Sequence, residues 1–199
     1  MSENQTTKKH LPTGEEPPKG YETLAVEQTE GDGSRVDFVM YSHLARSERA
    51  EIEALRTKAL TAVQRYIGLS NEPLTIEREV NIIEAVDDSN KMFALAFQDK
   101  KLVGYSLVVV GWPEACKWLI QHMIIDPEQR NQGIGTTIVK SIERYAQESE
   151  VSADSIFAVP IQESGKEFWQ NNGYTVEAAR FLITEADVDH EIIVYHKAL

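Results

Sequence analysis

Apolar positions change period several times along the chain, and each change marks an element. Between 47 and 67, Ile52, Leu55, Leu60, Val63 and Ile67 recur every three to five residues, the spacing of one helical face, and Ser47 stands where an N-cap would. The pattern predicts one or two helices there. Before it, 21–28 and 35–41 (apolar Val36, Phe38 and Met40) flank Glu30-Gly31-Asp32-Gly33 and predict a hairpin. A shorter amphipathic piece, 76–86, predicts another short helix that ends at Asp87-Asp88-Ser89-Asn90.

The period then shortens to that of strands over 92–97, 102–110 and 117–125, with a turn at 98–101 and an interruption at Trp112-Pro113-Glu114-Ala115. After a polar loop, Ile134, Ile138, Ile142 and Tyr145 form the stripe of a helix over 135–148. The run 156–159 is short and wholly apolar, which suits a strand buried on both faces, so strand, helix and strand here make a right-handed βαβ unit. A last helix over 164–171, a turn at Gly173 and strands over 176–181 and 191–196 complete the reading.

Length and composition narrow the class. A chain of 199 residues that is 42% apolar and 26% charged is an ordinary globular protein able to bury a core. Residues 1–20 carry Pro12, Gly14, Pro17, Pro18 and Gly20 among polar residues and read as a flexible tail, leaving 21–199 as a single domain. No apolar stretch approaches the ~20 residues of a bilayer span, so no membrane partner is expected. Cys116 is the only cysteine and the N-terminus lacks an apolar leader, which together fit a cytoplasmic protein. The net charge of −12 opposes nucleic acid as a partner and favours a cationic one.

The chemistry concentrates in 119–139, where an apolar strand ends, a loop supplies Gly133 and Gly135, and a helix begins at once. Amides at such a helix start have no intrahelical acceptor, and the dipole favours an anion there. The spacing predicts a phosphate cradle in which the two glycines let oxygens approach the backbone. A dinucleotide-binding loop would need a third glycine at position 138, which is Ile138, and a P-loop would need Gly-Lys-Ser/Thr, which is missing.

Arg130-Asn131-Gln132-Gly133-Ile134-Gly135 resembles the Arg/Gln-x-x-Gly-x-Gly/Ala signature of the GNAT N-acetyltransferase superfamily. Met123-Ile124-Ile125-Asp126-Pro127 is similar to that family's strand ending in Leu-x-Val-x-Pro, and Phe168-Trp169-Gln170-Asn171-Asn172-Gly173-Tyr174 to its Phe-Tyr-x-x-x-Gly-Phe segment. The resemblance covers about residues 34–199 and implies a single α/β domain. Its central mixed sheet would be mostly antiparallel with one parallel βαβ unit, splayed for coenzyme A, with helices on both faces. It also implies acetyl-coenzyme A as acyl donor, with amides from Arg130 through Asn131, Gln132, Gly133, Ile134 and Gly135 to Thr136 on the pyrophosphate. The backbone of Met123, Ile124 and Ile125 would lie along the pantetheine arm, and Gln162 and Trp169 beside the cofactor. No metal is called for.

The expected reaction moves an acetyl group to a primary amine of a small molecule or peptide, preferably cationic; the alternative is a non-catalytic acyl-coenzyme A sensor. A homodimer is compatible with either. An amine of pKa ~10.4 is neutral about once in 2,500 molecules at pH 7, equivalent to ~4.6 kcal/mol, so a base or a desolvating pocket must contribute. The family often places that base at positions corresponding here to Leu119 and Gln121, neither of which takes a proton. Alternation along 117–125 sends His122 to the face opposite Gln121 and Met123, which leaves Gln121 and His122 as weak catalytic candidates. Trp169 replaces the family's usual acid, a tyrosine; Gln162 replaces a frequent Asn and Gly165 a small Ala. A thiol of pKa ~8.5 leaves tolerably without an acid, so these departures are compatible with catalysis.

Overall fold

The computed structural model describes residues 25–28, 34–67, 88–112, 114–159, 164–185 and 188–199. The tail 1–20, the helix expected over 76–86 and Gln162 lie outside the described residues. Among the described residues, eight strands form one sheet in the order β1-β2-β3-β4-β5-β6-β8-β7. They are β1 (Ala25–Gln28), β2 (Ser34–Met40), β3 (Lys91–Gln98), β4 (Lys101–Val110), β5 (Lys117–Ile125), β6 (Ser155–Ala158), β7 (Thr175–Glu185) and β8 (Val188–Ala198). Every pairing is antiparallel except β5 with β6. Between those two runs α2 (Ile134–Glu148), the crossover helix of the βαβ unit.

The 22-residue α1 (Arg46–Ile67) and α2 cover opposite faces, and the sheet's alternation divides the core between them. Under α2 lie Phe38, Ala94, Val108, Ile120 and Ile156, which meet Ile134, Ile138 and Ile142. Under α1 lie Phe93, Leu95, Tyr105 and Leu107, which meet Ile52, Leu55 and Ala59. A further helix among the described residues is α3 (Ser164–Asn171).

One local detail departs from the pattern and another bears it out. Ser47 does not cap α1; the helix begins at Arg46, its first backbone bond runs from Arg49 to the Ala45 carbonyl, and the Glu48 carboxylate accepts from the Ala45 amide at 2.9 Å. An acidic side chain reaching back to the cap amide thus takes the place of a capping hydroxyl. The β3–β4 hairpin turns on Asp99 and Lys100, both left-handed with φ of 50° and 66°, the two-residue geometry whose twist matches its strands.

Candidate active site

The parallel pair β5–β6 is short. It runs from Lys117 opposite Ser155 to Ile120 opposite Ala158, and ends with the Val159 amide donating to the Ile120 carbonyl at 3.2 Å. Strand β5 continues for five residues, Gln121 to Ile125, bonded to β4 alone among the described residues. On the β4 side, the Ser106 hydroxyl donates to the His122 carbonyl at 2.9 Å and the Asp126 amide donates to the Val103 carbonyl at 2.8 Å. Because successive peptide groups point to opposite edges, Met123 and Ile125 present theirs to the open side, and Ile124 does not.

A bulge interrupts β5. Leu107 faces His122 and Val108 faces Ile120, so Gln121 is the extra residue with no opposite number. Strict alternation would put Leu119 on the face of Met123; across the bulge it fails, and the two lie on opposite faces. Leu119, with Val109 and Phe157, lies on the same side as Leu107, His122 and Ile124, whereas Ile120 and Met123 belong to the α2 side. His122 is opposite Met123, beneath α1, as the sequence suggested. Both its ring nitrogens are buried without a hydrogen-bond partner. Burial first, and the Arg56 charge second, push its pKa from 6.5 down to about 4. Such a ring is neutral at pH 7 and a poor proton acceptor.

After β5 the chain turns on Asp126, whose Oδ1 accepts from the Glu128 amide at 3.0 Å and so caps the 3-10 turn Pro127–Gln129. Asn131 and Gly133 are left-handed, with φ of 63° and 84°. Gly133 is the N-cap of α2, and the first helical bond runs from the Thr137 amide to its carbonyl at 2.9 Å. The amides of Ile134, Gly135 and Thr136 precede that bond and carry the positive end of the helix dipole.

The two glycines serve different purposes. A Cβ on Gly133 would meet nothing within 4 Å, so this residue supplies the left-handed turn and leaves the space before the helix clear. A Cβ on Gly135 would lie 3.1 and 3.3 Å from ring carbons of Phe168 and 3.7 Å from the Met123 Cε. At Gly135 a side chain would therefore crowd α3, which gives this glycine a packing reason in addition to the one expected from the loop.

The open edge of β5 and this loop share one cavity of about 650 Å³. Met123, Ile124 and Ile125 form its floor, and Arg130, Asn131, Gly133, Ile134, Gly135 and Thr136 its loop side. Gly165, Phe168 and Trp169 of α3 stand across from them, and Ala59 and Leu60 of α1 close another wall. Trp169 is buried, with Phe168 edge-on at 5.1 Å and Tyr174 at 5.0 Å, so the residue in the tyrosine position is both wall and core. Gln132 is exposed and away from the cavity, and neither Gln121 nor His122 lines it. As cavity residues, sequence reasoning missed Ala59, Leu60, Gln129, Val159 and Phe168; an alanine within the stripe of Ile52 and Leu55 was a visible sign of a helix wall at close range.

A mixed sheet that splays past one short parallel pair, with a glycine turn and a helix start at the opening, defines an acetyltransferase type of fold. The chain belongs to the acetyltransferase (GNAT) family, whose model matches residues 60–174. Among solved structures it is similar to an acetyltransferase from Thermus thermophilus, with 18% identity and a TM-score of 0.58 over 82% of this chain and 97% of that one. It is also similar to the PaiA N-acetyltransferase of Thermoplasma acidophilum, solved in complex with coenzyme A, with 17% identity and a TM-score of 0.58 over 82% and 99%. The ribosomal-protein-S18-alanine N-acetyltransferase of Escherichia coli aligns at 10% identity and a TM-score of 0.56 over 82% and 93%. No curated protein sequence matches the chain.

Proposed function

We propose that the protein transfers an acetyl group from acetyl-coenzyme A to a primary amine of a small molecule or peptide. The observation that carries this reading is the convergence, in one cavity, of the open Met123–Ile125 edge with the Gly133 turn and the first amides of α2. The donor's pyrophosphate suits the loop because the Ile134, Gly135 and Thr136 amides and the helix dipole favour negative charge. Its amide-bearing arm suits Met123 and Ile125, whose peptide groups point outward as those of a strand awaiting a partner. In the reaction the amine nitrogen bonds to the thioester carbon, the carbon–sulfur bond breaks to release coenzyme A as its thiolate, and the nitrogen gives up one proton, which ends on that thiolate or in solvent.

The net charge of −12 supports a cationic acceptor. His122 is set aside as the base because it lies beneath α1 and outside the cavity wall. Calorimetry with coenzyme A tests the site: Gly133→Asp, which adds bulk, charge and an unfavourable φ, should abolish binding while Gln132→Ala leaves it within about twofold. Unchanged affinity in folded Gly133→Asp protein would refute the assignment. Thiol release from acetyl-coenzyme A with a panel of amines then tests turnover, and tight binding with silence across the panel would favour the sensor instead.

A further inference from the structure

Asp126 is only 2% exposed, and its carboxylate gathers partners from three parts of the chain. The Lys58 ammonium of α1 donates to Oδ1 at 2.7 Å and to Oδ2 at 3.0 Å, the Glu128 amide donates to Oδ1 at 3.0 Å, and the Lys101 ammonium stands 4.0 Å from Oδ2. Its backbone is equally engaged: the amide donates to Val103 and the carbonyl accepts from the Gln129 amide, both at 2.8 Å. Lys58 also reaches the exposed Glu128 carboxylate at 3.2 Å. Burial alone would raise the Asp126 pKa. The hydrogen bonds from Lys58 and Glu128, with the Lys58 and Lys101 charges, outweigh it and hold the carboxyl below its ordinary value.

The pair occupies a particular place. Asp126 joins the open edge of β5 to the Gly133 loop, and Lys58 immediately precedes Ala59 and Leu60, the residues of α1 in the cavity wall. Neither Lys58 nor Asp126 itself lines the cavity. We infer that Lys58 and Asp126 are a positioning pair that pins α1 to the loop and so sets the distance between the helix wall and the coenzyme A-binding turn. The inference rests on the proposed use of that turn for coenzyme A. A charge-assisted bond holds a distance more firmly than the apolar contacts of Ala59 and Leu60, because two oxygens on one ammonium fix direction as well as separation.

The test is coenzyme A affinity by calorimetry, with melting temperature measured in parallel, for Asp126→Asn, Lys58→Met, Lys58→Arg and the double variant Lys58→Met/Asp126→Asn. Wild-type protein is measured first; if it fails to bind, the proposed function falls rather than the positioning role. Lys58 is 39% exposed, so Lys58→Met should fold. Asp126→Asn and Lys58→Met should each raise Kd about tenfold, as the loss of this charge-assisted contact allows, and Lys58→Arg should restore at least half of the lost affinity on a logarithmic scale. The double variant should bind no worse than the weaker single one, since both remove the same contact. Steady-state kinetics with any accepted amine should show KM for acetyl-coenzyme A rising while kcat stays within about twofold. A lowered melting temperature with unchanged Kd would overturn the inference and leave the pair a structural bond only, as would additive losses in the double variant.

Discussion

His122, whose ring nitrogens are buried, makes acid stability measurable at a single residue. Its ring lies beneath α1 with both nitrogens buried and without partners, and the folded chain protonates it only near pH 4, against 6.5 for an exposed imidazole. Between those values the unfolded chain holds a proton that the folded chain does not, so unfolding free energy rises with pH across the window. The stability is complete above pH 6.5 and is lost as the pH falls to about 4. At ~1.4 kcal/mol per tenfold change in proton affinity, the full loss is about 3 kcal/mol, of which about 2.5 kcal/mol falls by pH ~4.5. The 32 acidic residues also titrate in this range, so a difference between proteins is needed. Urea unfolding of wild type and His122→Met at pH ~7.5, ~6.5, ~5.5 and ~4.5 supplies it. The variant should gain about 2.5 kcal/mol on the wild type between the first and last pH. Parallel stability curves would refute the argument, because they would show that His122 protonates alike in both states.

Other outcomes follow from the same geometry. With an accepted amine in hand, His122→Asn should keep the shape of the pH–rate profile; loss of an acidic limb would identify the imidazole as the base. Gly135→Ala should weaken coenzyme A binding through its 3.1 Å approach to Phe168, and Phe168→Leu in the same chain should recover part of the affinity, whereas no recovery would place the defect elsewhere. Deleting residues 1–20 should leave the melting temperature within about 5 °C, a larger fall meaning that the tail docks on the domain.

Much of the molecule was legible from periodicity. The strand over 117–125 and the helix over 164–171 have the predicted bounds, and the βαβ unit lies where the change of period put it. Burial on one face of a helix or strand is written into every third, fourth or second residue, so an element of useful length declares its own core side. The loop motif was equally readable, because a left-handed turn before a helix constrains residue type at the turn itself: φ of 84° at Gly133 is a local demand that glycine meets.

What stayed hidden depends on a second segment. The bulge at Gln121 arises from the register of β5 against β4, and nothing in Gln-His-Met marks the place where one residue is left over. That single offset decides that Leu119 and His122 share a face. The packing reason for glycine at position 135 was hidden for the same reason, since the ring that would crowd a side chain there belongs to Phe168, 33 positions further on. Lys58 and Asp126 are 68 residues apart, each ordinary beside its neighbours, and became a pair only when α1 was laid over the end of β5. Periodicity and turn chemistry act within a few residues and are therefore carried by the sequence alone; register, close approach and charge pairing act across the sheet and are decided only when the chain has folded.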